Sequence, residues 1–373
     1  MGMRSLMKKA NPWVAGLGVY EPGRPIEEVA RELGFRSADE IVKLASNENA
    51  LGPSPKAVKA MAKALCGMHL YPDGGAFYLR RALARKLGVE MDEIIITHGS
   101  NEAIEFLAHV FLDRGSNIVM ADRAFVVYRL AAAAARAETI AVPMRAFTHD
   151  LDAMLKAITP KTRLVFVSNP NNPTGTMVDG RALDRFMKRV PDHVVVVFDE
   201  AYIELLPPNR QPDVLKFVRQ GKHVFVLRTF SKTYGLAGLR IGYAIAPREG
   251  IALLNRVRQP FNVNAVAQVA ATAALEDNAY VLRTRRLVQN GLSQLESAFG
   301  RMGLEYVPSV TNFIMVKVGQ GRRVFEALQR EKVIVRPMDP YGMPEYIRVT
   351  VGTRAENATF LRALKKVLGT RGC

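Results

Sequence analysis

The segment RTFSKTYGLAGLRIGY, residues 228 to 243, follows directly on the apolar run HVFVL. It sets Lys232 at the C-terminal end of a strand, among hydroxyls and glycines that let a ligand approach the backbone closely. Lys232-Thr233 imitates the end of a phosphate-binding P-loop, but that motif requires glycine at 226 and 231, where Val226 and Ser231 stand. What remains for a lysine so placed is condensation with an aldehyde to a Schiff base, the covalent role lysine plays toward pyridoxal phosphate.

That cofactor makes further demands on the chain. Its ring nitrogen needs a buried carboxylate, and Asp199, closing the run VVVVF, is an acid that is costly at a strand end without a fixed partner. Its phenolate oxygen needs donors, which Tyr202 and Asn172, in NPNNPTG at 169 to 175, can provide. Its phosphate needs N–H groups at a helix N-terminus, hydroxyls and a cation. Ser100, Asn101 and Glu102, between a strand and a helix, supply the first, and Thr229, Ser231 and Arg240 the rest. Ser100 and Asn101 suit a helix cap equally well, since a cap and a phosphate use the same N–H groups.

The elements that must position these residues are legible as short apolar runs alternating with helical patterns. Strands are predicted at 94–97, 117–121, 163–169, 194–202, 223–230 and 242–247, with helices at 102–112, 125–137, 151–158 and 181–190 between them. Continuous apolar strands separated by helices read as a mostly parallel sheet covered on both faces, so the fold class is α/β. After Pro260 come long helices at 265–276 and 280–299, strands at 312–318 and 347–351, and a helix at 322–332: a second, α+β domain. A last helix at 356–368 has Thr353 as its cap, with Glu356 completing a capping box.

Composition narrows the function. The 373 residues are 49% hydrophobic, and no apolar run approaches the length of a membrane span or a signal-peptide core. Cys66 and Cys373 are too few and too far apart for a disulfide framework or zinc site, and the six histidines have no metal spacing, which fits a cytoplasmic protein without a metal. The net charge of +17, from 52 basic and 35 acidic residues, invites a nucleic-acid partner. The basic residues are nevertheless scattered in ones and twos, so no nucleic-acid or membrane partner is expected and part of the excess serves anionic small molecules. A salt-sensitive gel shift would revive the polyanion reading.

Together, NNPTG, DEAY and TFSK, with an arginine eight residues after the lysine, resemble the fold-type I (aspartate-aminotransferase-like) pyridoxal-phosphate enzymes. Further motifs extend the resemblance nearly end to end and make it closest to the histidinol-phosphate aminotransferase family: YEPGRPIEEVARELG at 20–34, KLASNEN at 43–49, YPDG at 71–74, VRPM at 335–338 and IRVTVGT at 347–353. The resemblance implies a large domain, 46–262, built on a mostly parallel seven-stranded sheet, with residues 1–45 and 263–373 forming an N-terminal arm and a smaller α+β domain. It implies that Lys232 binds the cofactor and moves the substrate proton, and that Phe125 stacks on the ring. It implies that Tyr71 reaches the cofactor phosphate of a neighbouring subunit in a homodimer, and that Tyr20, Asn49, Arg336 and Arg348 bind substrate. The reaction implied is transamination between L-histidinol phosphate and 2-oxoglutarate; aromatic amino-acid transamination and threonine-phosphate decarboxylation are alternatives on the same scaffold. Two departures from the family, Ala50 in place of proline and Phe125 in place of tyrosine, remove no required charge.

Overall fold

The computed structural model describes Leu6, residues 9–17 and residues 25–369. Its centre is a seven-stranded sheet in the order Ile94–Thr97, Gly242–Ile245, Val224–Thr229, Val195–Asp199, Thr162–Ser168, Asn117–Ala121, Glu138–Val142. All neighbours are parallel except Gly242–Ile245, which runs antiparallel to both strands beside it. The inner strands are rich in Val, Ile and Phe because helices cover both faces, and nearly every residue in them is buried. Two apolar clusters form there, one on Val196, Phe198 and Val226, the other on Phe166, Val197 and Leu227. Each such side chain removed from water contributes about 1.5–3 kcal/mol.

Register places the chemistry at the carboxyl ends of these strands, where ligands of open α/β sheets bind. Ser168 stands opposite Asp199, and Gly242 pairs with both Thr229 and Thr97. The crossing at Gly242 brings the start of the helix Gly99–Phe111 beside the end of the lysine-bearing strand.

The small domain is a four-stranded antiparallel sheet, Arg336–Pro337, Tyr346–Thr350, Phe313–Lys317, Tyr306–Val307, packed under the helices Asn278–Arg301, Gly321–Arg330 and Arg354–Gly369. Val29, Ala30, Ile41, Leu44 and Ala45 enter its core, and Val42–Lys43 pairs with Val333–Ile334. The Thr353 capping box forms: Thr353 N–H donates to Glu356 and Glu356 N–H to Thr353 Oγ1.

Three expectations change. The helix Ala265–Leu275 buries Ala267, Ala270, Ala271 and Ala274 in the large-domain core, so the boundary falls after it rather than at 262; apolar residues all around this helix let neighbours enclose it. The helix expected from 102 begins at Gly99, one turn earlier. The edge strand Glu138–Val142 had not been anticipated, because its first four residues are exposed or half-buried and it forms no continuous apolar run.

Candidate active site

Twenty residues from both domains line a cavity of about 290 Å³ at the carboxyl ends of the large sheet. Lys232, in the turn beyond Thr229, lines it and donates from Nζ to the carbonyl of Ser46 at 3.2 Å. Burial, and then the charges of Arg348 and Arg240, lower its pKa to about 8 against the opposing pull of Glu48. A lysine held there has its neutral, nucleophilic form within reach at ordinary pH.

Asp199 lines the cavity at the end of its strand and is buried. Its Oδ1 accepts the Ala201 N–H at 3.1 Å and its Oδ2 the hydroxyl of Tyr128 at 2.6 Å. Burial pushes its pKa up, and both hydrogen bonds pull it back toward the ionised form.

Gly99, Ser100, Asn101, Thr229, Ser231 and Arg240 gather into one cradle. Gly99 has φ +70°, and a Cβ there would stand 2.6 Å from Arg240 Nη2. A Cβ on Gly242 would stand 2.8 Å from both Gly99 C and Ser100 N. Both glycines are therefore required for the guanidinium, the strand and the first helical turn to meet. Thr229 Oγ1 donates to Ser231 Oγ at 2.9 Å, and Arg240 Nη1 reaches the same oxygen at 3.5 Å. Unpaired N–H groups of a 13-residue helix, two hydroxyls and a guanidinium form a donor set that suits a phosphate dianion.

Along the other wall, Tyr202 is buried, and that burial lifts its pKa to about 12, so its hydroxyl stays protonated. It accepts from Asn47 Nδ2 at 3.0 Å. Asn172 Oδ1 accepts from Arg348 Nη1 at 2.5 Å, which orients the amide and leaves its NH₂ to donate elsewhere. Arg348 also donates to the carbonyl of Ala45 at 3.0 Å. Arg336 is its direct partner across the strands, and both line the cavity with Phe125. Four cations, Lys232, Arg240, Arg336 and Arg348, face two carboxylates, Asp199 and Glu48, so the cavity favours anions.

The structure thus brings Ser100, Asn101, Phe125, Asn172, Asp199, Tyr202, Thr229, Ser231, Lys232, Arg240, Arg336 and Arg348 together. Two residues expected at this chain's own cavity do not line it. Glu102 folds back over the first helical turn, accepting from the His98 N–H at 2.7 Å and from Asn262 at 2.6 Å. Asn49 turns its amide away from the cavity, to the carbonyls of Lys232 and Thr233. Tyr71 is 83% exposed and stacks on Phe261, outside this chain's own cavity. Tyr20 lies outside the described residues. Asn47, Glu48, Ser168 and Tyr341 line the cavity without having been singled out individually, although the first two belong to the KLASNEN motif.

The sequence model of the class I and II aminotransferase family matches residues 39–364. The histidinol-phosphate aminotransferase of Akkermansia muciniphila is 52% identical over 98% of this chain and 100% of its own length, and that of Moorella thermoacetica 51% identical over 96% and 93%. The structure is similar to that of histidinol-phosphate aminotransferase from Sinorhizobium meliloti in complex with pyridoxal-5'-phosphate, with a TM-score of 0.89, 26% identity, and coverage of 97% of this chain and 98% of that one. The family model over most of the chain and full-length relatives of one kind lead to the same place: the chain belongs to the class I and II aminotransferases and, within them, to the histidinol-phosphate aminotransferase family.

Proposed function

We infer that the protein is a pyridoxal-phosphate-dependent aminotransferase of L-histidine biosynthesis, converting L-histidinol phosphate and 2-oxoglutarate to imidazole-acetol phosphate and L-glutamate. The observation that carries this reading is the meeting of Lys232, Asp199 and the Gly99–Arg240 cradle in one cavity that is also lined by Arg336 and Arg348.

When bound, pyridoxal phosphate supplies an electron sink for the bond broken at the substrate α-carbon. The chain's own residues do the rest. Ser100, Asn101, Thr229, Ser231 and Arg240 hold the phosphate. Asp199 keeps the proton on the ring nitrogen, while Tyr202 and the NH₂ of Asn172 donate to the phenolate oxygen. Lys232 Nζ would take the proton from the substrate α-carbon and deliver it to the cofactor's C4′ carbon, a task suited to a group with a pKa near 8. Phe125 covers a ring face and excludes water. Arg336 and Arg348 grip the anionic ends of both substrates, because a guanidinium fork accepts phosphate and carboxylate alike.

A homodimer belongs to this proposal, with Tyr71 reaching the neighbouring subunit's cofactor phosphate. Its support is an apolar surface of Leu70, Tyr71, Phe77, Tyr78 and Phe261, all exposed on the single chain. Among the described residues no helix is long and apolar enough to cross a membrane. We place the protein in the cytoplasm.

The test is an assay of the cofactor-loaded protein with histidinol phosphate and 2-oxoglutarate. Glutamate is expected to form one for one with the keto product. Release of carbon dioxide without glutamate favours the decarboxylase. Turnover of phenylalanine or tyrosine but not histidinol phosphate leaves the reaction class intact and overturns the substrate.

A further inference from the structure

We infer that Tyr128 is a positioning residue for this reaction, aiming and holding the Asp199 carboxylate through a hydrogen bond from its hydroxyl to Asp199 Oδ2; the inference rests on the pyridoxal-phosphate reading above. The distance is 2.6 Å, the length of a charge-assisted O–H···O⁻ bond. With Ala201 N–H on Oδ1, each carboxylate oxygen has its own donor, and the plane of the group is fixed.

The tyrosine is itself held rigidly. Its side chain is fully buried, and its ring stacks on Phe166 with centroids 4.4 Å apart and planes 11° from parallel. Phe125 meets it edge-on at 5.7 Å. Phe166 lies on the strand next to the one that ends in Asp199, and Phe125 lines the cavity, so a packed column of three rings runs from the sheet to the cavity wall. Phenylalanine would fill the same space without burying a hydroxyl, a group that is costly there unless it bonds. Burial also keeps that hydroxyl protonated, and therefore a donor. Tyr128 does not itself line the cavity; its hydroxyl also bonds Ser168, which does, and its effect on bound cofactor is assigned to Asp199, the charged partner.

The experiment is a double-mutant cycle on cofactor retention, read by equilibrium dialysis of pyridoxal phosphate from the full-length protein carrying Tyr128→Phe, Asp199→Asn or both. Tyr128→Phe is expected to weaken retention about tenfold, the range for a hydrogen bond to a charged group. Adding it to Asp199→Asn should change nothing further, because the group it acts through is gone. In turnover it should lower kcat while the KM for the amino donor stays near wild type. Phe166→Leu loosens the ring stack but keeps the hydroxyl, and should leave retention close to wild type. If the losses multiply in the double variant, or Phe166→Leu matches Tyr128→Phe, Tyr128 is only packing and the inference falls. Wild-type protein that retains no pyridoxal phosphate overturns the functional reading and the inference with it. Full retention by both wild type and Tyr128→Phe overturns the inference alone.

Discussion

The side-chain amide of Asn49 donates to the backbone carbonyl of Lys232 at 3.2 Å and to that of Thr233 at 3.1 Å. A third contact, to Thr284 Oγ1, ties the same amide to the helix that links the two domains. Gly52 closes the brace from below: Tyr280 donates to its carbonyl, and a Cβ on Gly235 would collide with that oxygen. The turn bearing the lysine is therefore pinned from outside the cavity. Asn49→Ala is expected to lower kcat about tenfold with little change in either KM, because the group moved is the lysine and not a substrate contact. Steady-state kinetics with both substrates, alongside a melting curve, check this.

Arg336 and Arg348 are both proposed to bind the anionic ends of the substrates. Arg348 also fixes Asn172 and Ala45, so its loss disturbs the cofactor wall as well as the substrate. Arg336→Ala leaves those two contacts in place. It should raise the KM for histidinol phosphate and for 2-oxoglutarate together, roughly ten- to a hundredfold, since each substrate loses a hydrogen-bonded charge. A rise for only one of them would show that the anions do not share this arginine.

Gly99 makes a separate claim about the phosphate cradle. Alanine there is strained at φ +70° by about 1–2 kcal/mol and displaces the Arg240 guanidinium. Gly99→Ala should weaken cofactor retention about tenfold or more. The melting temperature of the cofactor-free protein should fall only modestly. Dialysis and calorimetry separate the two effects.

Glu204, two residues beyond Tyr202, has both carboxylate oxygens buried and no hydrogen-bond partner on another described residue. Burial pushes its pKa from 4.5 up to about 7, against the attraction of Arg228, which is already paired with Glu200 at 2.7 Å. Below pH 4.5 the group is protonated in folded and unfolded chains alike and takes nothing from stability. Between pH 4.5 and 7 the unfolded chain ionises while the folded one holds its proton, so stability falls as pH rises, by about 1.4 kcal/mol per pKa unit. Glu204→Gln cannot ionise and removes that loss. Its melting temperature should exceed that of wild type at pH 8, and the difference should shrink toward pH 5. An equal difference at both values would contradict the assignment.

Sequence alone carried the parts of the site whose signal is local. Lys232, Asp199 and Asn172 each sit at a strand end or turn whose flanking residues declare it, and the inner strands are continuous runs of Val, Ile and Phe. What stayed unread are contacts that no spacing encodes. Asn47 meets Tyr202 across 155 residues, and Asn49 meets Lys232 across 183. Tyr128 reads as one more apolar residue on a helix until the sheet brings Asp199 to it. Glu138–Val142 escapes for the opposite reason: an edge strand with one exposed face needs no apolar run.

The most direct test of the account is the visible absorption of the protein reconstituted with pyridoxal phosphate, recorded before and after histidinol phosphate is added without any keto acid. The account predicts a yellow protein whose band is lost as the amino group is taken up and returns on addition of 2-oxoglutarate, with Lys232→Ala never acquiring that band. A wild-type protein that stays colourless after reconstitution would contradict it.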